Sequence, residues 1–136
     1  MFIGKNPWMS QSFPRARVVL KEIAKDPDRS TIVIDPVLTD TAKLADYHLR
    51  VRPGTDAWCL AAMVAVLVQE DLLDREFLTA RASGSEAVFG AFADIDVPRY
   101  AAWCGVDEGL LRAAARRIAG AESVSDGAAG GHAPGG

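Results

Sequence analysis

The sequence TIVIDP, at residues 31–36, decides the fold. Its β-branched run from Thr31 to Ile34 favours a short strand that is buried on both faces, as the strands of parallel sheets are. Asp35 and Pro36 end this strand, because proline has no backbone N–H to donate to a neighbouring strand. An acidic side chain therefore follows directly after a buried strand, where open α/β sheets place their ligands.

Helical and extended patterns alternate on both sides of this strand. Upstream, residues 1–3 favour the end of another strand, followed by a loop to about residue 13 and then a helix whose apolar residues recur at helical spacing over 16–24. Downstream, residues 47–51 favour a third strand, and a long helix with Leu60, Met63, Val64, Leu67 and Val68 on one stripe follows. Because alternating strands and helices pair in parallel through right-handed crossovers, the sequence predicts a Rossmann-like, three-layer α/β unit with a small parallel sheet.

The rest of the chain favours helices. Asp74 and Asp107 are predicted helix caps, and Ser83 with Glu86 forms the S-x-x-E pattern of a capping box. The glycine-rich end has almost no apolar side chains, which predicts disorder. We therefore expect one incomplete α/β domain over residues 1–124, completed by C-terminal helices, and a disordered tail over residues 125–136.

Composition excludes several functions. The net charge of −3 and the lack of a basic run argue against a nucleic-acid partner. The longest apolar stretch, residues 57–68, is too short to cross a bilayer of about 30 Å, so direct membrane insertion is not expected. Cys59 and Cys104 are far apart in sequence and are interpreted as ordinary core cysteines rather than as a metal or disulfide site. No catalytic or metal-ligating residue is assigned. His48 is interpreted as a packed or surface histidine rather than a ligand, and the tryptophans are interpreted as packing residues.

The first of three unusual loops follows the upstream strand. Glycine permits close approach of a ligand to the backbone, asparagine can donate and accept hydrogen bonds, and the following helix offers a positive N-terminus to a diphosphate. A simple turn explains the same residue types. The loop consists of Gly4, Lys5, Asn6 and Pro7.

The second loop follows residues 32–34 and contains Asp35, Pro36 and Thr39, with Thr41 nearby. An acid in this position of a mononucleotide-binding unit often accepts hydrogen bonds from ribose hydroxyls. The alternative for Asp35 is that it caps a turn.

The third loop precedes the long helix and contains Gly54, Thr55 and Asp56. A carboxylate accepts two hydrogen bonds at once, which suits the N1–H and N2–H₂ edge of guanine. The structural alternative is that Thr55 caps the helix and Asp56 favours its dipole.

In this order and spacing, the three loops resemble the bis-molybdopterin guanine dinucleotide oxidoreductases, among them formate dehydrogenases, nitrate reductases and relatives of dimethyl sulfoxide reductase. The resemblance runs from residue 2 to about residue 124. It implies that residues 4–7 lie against the phosphates of the cofactor, that residues 35–39 line the nucleotide, and that residues 54–56 hold its guanine end. One departure is Val37, where many relatives have an arginine that could contact phosphate or a neighbouring domain.

The resemblance also implies a larger enzyme. Family members perform two-electron redox chemistry at molybdenum or tungsten, with a metal ligand and often an iron–sulfur cluster that lie upstream of this segment. We therefore expect a part of an oxidoreductase that is inactive alone, with the cofactor and the remaining domains as its partners. Its location is open, with the cytoplasm favoured and the periplasm possible through an upstream signal.

Two alternatives are a stand-alone guanine-nucleotide-binding module and a Rossmann-type dehydrogenase. The sequence lacks the G-x-G-x-x-G fingerprint, which weakens the dehydrogenase. An upstream in-frame C-x₂-C-x₃-C pattern in the flanking DNA would favour the molybdopterin oxidoreductase.

Overall fold

The computed structural model describes residues 1–10 and 13–128. Within these residues the strands are β1 (Phe2–Ile3), β2 (Ile32–Ile34), β3 (Tyr47–Leu49) and β4 (Gly127–Ala128). The α-helices are α1 (Pro7–Ser10), α2 (Ala16–Ile23), α3 (Asp56–Gln69), α4 (Arg75–Arg81), α5 (Ser85–Ala93), α6 (Val97–Cys104) and α7 (Glu108–Ala119), and Ala42–Leu44 forms a turn of 3-10 helix. In the described part of the chain, no helix has the length and apolarity needed to span a membrane.

The chain divides into two compact units. The sheet unit contains Met1–Arg50 and the described residues from Ser123 onward, whereas the helical unit contains Val51–Glu122. This division differs from the single domain over residues 1–124 that the sequence predicts. The reason is that the helices after Val51 bury an apolar core of their own, around α3.

The sheet unit is built on a small parallel sheet. Its strand order is β3-β2-β1-β4, and every neighbouring pair is parallel, with Val33 opposite both Phe2 and His48. The side chains of Ile32, Val33 and Ile34 are all buried, as the β-branched run predicts. The predicted α/β class and small parallel sheet are confirmed, and the order β3-β2-β1 is that of the first half of a doubly wound fold.

Two segments of the sheet unit differ from the sequence predictions. Residues 7–10 form α1 within the predicted loop, because Pro7 fixes the backbone in a conformation suited to a first helical position. Gly127 and Ala128 form β4 instead of belonging to a disordered tail, since their backbone pairs with β1 and the Gly127 amide donates to the Met1 carbonyl at 2.9 Å. Residues 129–136 of the predicted tail lie outside the described residues.

The helical unit packs α5, α6 and α7 around α3. The predicted apolar stripe on α3 is only partly correct: Met63 and Val68 are buried, but Leu60, Val64 and Leu67 are only partly so. The buried face instead contains Cys59, Ala62, Met63, Ala65, Val66 and Val68. The stripe was misplaced because α3 is apolar on nearly every side, so its sequence pattern does not distinguish the face that meets three other helices.

Helix caps in this unit follow the sequence at two of the three predicted positions. Asp74 accepts a hydrogen bond from the Phe77 amide at 2.9 Å, and Asp107 accepts one from the Leu110 amide at 2.8 Å. The predicted Ser83–Glu86 capping box is wrong. Helix α5 begins at Ser85, with Gly84 in the left-handed conformation before it, so Ser83 lies outside the capping position.

Candidate functional site

The first loop leaves β1 through Gly4, which has a φ of +55° and lies in the left-handed region that favours glycine. Its amide donates to the Ile34 carbonyl at 2.9 Å, so the loop starts directly beside the end of β2. The next residue, Lys5, is half-buried and makes no ion pair or hydrogen bond to any residue in the described ranges.

Asn6 and Thr41 connect the first loop to the second. The Thr41 hydroxyl donates to Oδ1 of Asn6 at 2.7 Å and accepts from the Trp8 amide at 3.2 Å. Thr41 is completely buried. The side-chain nitrogen of Asn6 has no hydrogen-bond acceptor among the residues that the structure describes. Sequence reasoning noted the hydroxyl of Thr41 but not this role, because the contact depends on the approach of two loops that are distant in sequence.

The second loop turns sharply at Asp35, which is buried at the end of β2. One carboxylate oxygen accepts the Val37 amide at 2.8 Å, so the capped-turn alternative describes this contact. The other oxygen makes no hydrogen bond within residues 1–10 and 13–128. The Val37 side chain is exposed. Nε2 of His48 lies within hydrogen-bonding distance, 3.0 Å, of the Asp35 carbonyl oxygen.

Two further residues shape this loop. Arg50 donates from Nε to the Pro36 carbonyl at 3.1 Å. The Thr39 hydroxyl accepts a hydrogen bond from the amide of Ala42, the first residue of the 3-10 turn, at 3.1 Å. The structure therefore brings the predicted site residues of the sheet unit, 4–7 and 35–39, to one edge of the sheet, where the carboxyl ends of β1 and β2 meet.

The third loop belongs to the helical unit. Gly54 has a φ of +78°, and Thr55 is the residue before α3. The Thr55 hydroxyl does not cap the helix: it donates to the Arg52 carbonyl at 2.6 Å. Asp56 is the first residue of α3, and its half-exposed carboxylate makes no hydrogen bond or ion pair with any described residue.

Arg52 fixes this loop against α6. Its backbone amide donates to the Cys104 carbonyl at 2.8 Å, and Nη1 donates to the carbonyls of Ala102 and Trp103 at 3.1 and 3.2 Å. A cation at the C-terminus of a helix is also favoured by the helix dipole. A Cβ at Gly105 would lie 3.1 Å from Arg52 side-chain atoms, so glycine leaves the room that the arginine occupies. The sequence analysis did not single out this contact.

An aromatic cluster lies on the same unit. The rings of Trp58, Tyr100 and Trp103 have centroids 5.0–5.2 Å apart, and the Arg99 guanidinium lies 4.8 Å from the Trp103 ring centroid. Trp58 contacts both partners edge to face, which is a favourable packing geometry. The interpretation of these tryptophans as packing residues agrees with these contacts, although both remain about two-fifths exposed.

The two cysteines are distant in sequence but adjacent in space. Both are free and completely buried, and their thiols lie within hydrogen-bonding contact. Burial, and then the neighbouring Cys104, raises the pKa of Cys59 to about 12. In the described part of the chain, no group of three or more histidine, cysteine, aspartate or glutamate side chains is placed to bind a metal ion.

Comparison with known proteins identifies the family. The chain is 35% identical to a formate dehydrogenase alpha subunit of Methanocaldococcus jannaschii over 92% of its length, and 34% identical to the assimilatory nitrate reductase catalytic subunit of Bacillus subtilis over 72%. The solved structure of acetylene hydratase from Pelobacter acetylenicus superposes on 92% of the chain with a TM-score of 0.77 and 33% identity. The chain belongs to the molybdopterin oxidoreductase family.

The match covers a short segment of each of these family members. The chain spans 18% of the length of the formate dehydrogenase subunit, 14% of the nitrate reductase subunit and 17% of the acetylene hydratase. No family model matches the chain.

Proposed function

We propose that this chain is a part of a longer molybdopterin-dependent oxidoreductase and binds the guanine nucleotide portion of a bis-molybdopterin guanine dinucleotide cofactor, with molybdenum or tungsten as its metal. One observation carries the proposal. Three polar groups in the predicted loops, the Lys5 ammonium, the Asn6 side-chain nitrogen and the Asp56 carboxylate, have no partner among the described residues. The first two groups are complementary to the diphosphate of such a nucleotide, and the third is complementary to its guanine.

The sheet unit supplies the groups suited to the diphosphate and ribose. An ammonium and an amide N–H₂ both donate hydrogen bonds, and phosphate oxygens accept them. The free oxygen of Asp35 is an acceptor, as a ribose hydroxyl requires, while its other oxygen holds the turn through Val37. The turn role and the ribose role of Asp35 are thus compatible.

The helical unit supplies the group suited to guanine. A carboxylate accepts from N1–H and N2–H₂ of guanine together, whereas the corresponding edge of adenine offers no donor at either position. Because the Thr55 hydroxyl is bonded to Arg52, the backbone before Asp56 is held without help from the Asp56 side chain. That leaves the carboxylate available to a ligand.

The comparisons support a role in holding a shared group rather than in choosing a substrate. Relatives of this segment include a formate dehydrogenase, a nitrate reductase and an acetylene hydratase, whose names denote three different reactions. A bound cofactor of this kind supplies two-electron redox chemistry at its metal. The residues of this chain bind and orient its nucleotide end, and the chain alone has no redox activity.

Calorimetry with GDP and ADP tests this proposal. We expect the chain to prefer GDP by about tenfold, because ADP leaves the Asp56 carboxylate desolvated and unpaired. Asp56→Ala should abolish the preference for GDP and lower GDP affinity, whereas Asp35→Ala should lower the affinity for both nucleotides. Asp94→Ala, which removes an exposed carboxylate at the end of α5, is the matched control and should change neither affinity. Equal affinities for GDP and ADP that Asp56→Ala leaves unchanged would contradict the proposal.

A further inference from the structure

Asn6 occupies the position before the first residue of α1, and its carbonyl accepts from the amides of Met9 and Ser10 at 3.1 and 3.0 Å. An asparagine in this position ordinarily uses its side-chain oxygen to cap a free amide in the first turn of the helix. Here that oxygen accepts from Thr41 instead, and Thr41 itself accepts the Trp8 amide of the first turn. Thr41 has thus replaced Asn6 as the cap of α1.

The hydroxyl chemistry of Thr41 fixes which way the Asn6 amide faces. A threonine hydroxyl has one proton to donate and two lone pairs that accept. Trp8 occupies one lone pair, and Asn6 is the only acceptor within reach of the proton among the described residues. Since Thr41 is completely buried, water cannot substitute for that acceptor. The atom of Asn6 that faces Thr41 is therefore its oxygen, and its N–H₂ group faces away.

We propose that Thr41 is a positioning residue, which orients the Asn6 amide so that its two N–H donors face an acceptor oxygen of the ligand. This inference rests on the proposed function and deepens it by naming the chemistry at this point: a phosphoryl oxygen of the nucleotide diphosphate. The adjacent Lys5, whose ammonium has no partner among the described residues, adds the positive charge that an anionic oxygen requires. Without Thr41, the amide can rotate to present its oxygen, which repels phosphate.

Binding of GDP and of guanosine to matched variants separates positioning from general stability. Thr41→Val keeps the shape of the side chain and removes both hydrogen bonds; we expect it to lower GDP affinity by about tenfold while guanosine affinity stays unchanged. Thr41→Ser should restore GDP binding. Asn6→Ala should lower GDP affinity as much as Thr41→Val does. The double variant should lower it no further than either single variant, because the two residues act through one contact. Thr31→Val, a buried threonine just before β2, is the control.

A second variant keeps the test decisive if Thr41→Val fails to fold. Asn6→Asp leaves Thr41 intact but replaces the N–H₂ group by a charged oxygen. It should therefore lower GDP affinity by more than tenfold and leave guanosine affinity unchanged. GDP binding that is the same in the wild type, Asn6→Asp and Thr41→Val would overturn the role of Thr41 and leave the proposed function standing. No GDP binding by the wild type would overturn the proposed function, and this inference with it.

Discussion

At the scale of single residues, burial separates groups that can meet a ligand from groups that cannot. The thiols of Cys59 and Cys104 contact each other in the core of the helical unit, where nothing from solvent reaches them. Asp56, only three residues before Cys59, has a half-exposed carboxylate without a partner in the described chain. One turn of α3 therefore contains an inert side chain and a chemically available one.

The raised pKa of Cys59 predicts that this thiol is unreactive. With a pKa of about 12, roughly one molecule in ten thousand carries the thiolate at pH 8, against about a quarter for an ordinary cysteine. A thiol-reactive disulfide reagent at pH 8 should label neither cysteine in the folded chain and both in guanidinium chloride. The Ser123→Cys variant, which has an added cysteine at an exposed position, should react with one equivalent of the reagent in the folded state. Rapid labelling of the unmodified folded chain would show that the core around Cys59 is open.

At the scale of elements, an ion-pair network joins the end of α3 to α7. The Glu70 carboxylate accepts from Arg116 at 2.6 and 2.9 Å and from Arg112 at 2.9 Å, while Arg112 also donates to Glu108 at 2.8 Å. The hydrogen bond from Arg116, and then that from Arg112, holds the pKa of Glu70 below its usual value. The network stabilises the folded state wherever Glu70 is ionised.

This lowered pKa predicts how stability depends on pH. A carboxyl with a depressed pKa in the folded state contributes stability above its unfolded pKa, and that contribution is lost as the pH falls through its folded pKa. Glu70→Gln should therefore lower the Tm by about 2 to 5 °C at pH 7, and by progressively less as the pH falls below about 4. Glu122→Gln, which changes an exposed glutamate without an ion pair, is the control. Thermal unfolding at several pH values checks this. A difference in Tm between the wild type and Glu70→Gln that is as large at pH 2 as at pH 7 would contradict it.

The elements also show which parts of the fold a sequence can predict. Strand β2 and the caps at Asp74 and Asp107 are set by local chemistry, so the residues themselves predict them. The buried face of α3 depends on which helices surround it, and β4 depends on pairing with β1 from the other end of the chain. Neither long-range arrangement has a local signal.

In the candidate site, too, the sequence predicts some features and not others. The carboxyl end of β2 predicts that residues 4–7 and Asp35 come together, since parallel neighbours end at one edge of a sheet. The roles of Thr41 and Arg52 have no such signal. Each is defined by hydrogen bonds to residues more than thirty positions away, which no local sequence pattern indicates.

At the scale of the whole molecule, the chain corresponds to a short part of each of its family relatives. It matches relatives over most of its own length but only 14–18% of theirs. Those relatives are named for different reactions. Our central proposal is that residues 4–7, 35–39 and 54–56 contact a guanine nucleotide.

Amide chemical-shift mapping of the isotopically labelled 136-residue chain during titration with GDP tests this claim most directly. We expect saturable shifts at the amides of Gly4 to Asn6, Asp35, Val37 to Thr41 and Gly54 to Asp56, together with the side-chain amide of Asn6. The amides of α4 and α5 should not move. Shifts confined to α4 and α5, or none at GDP concentrations in the millimolar range, would contradict it.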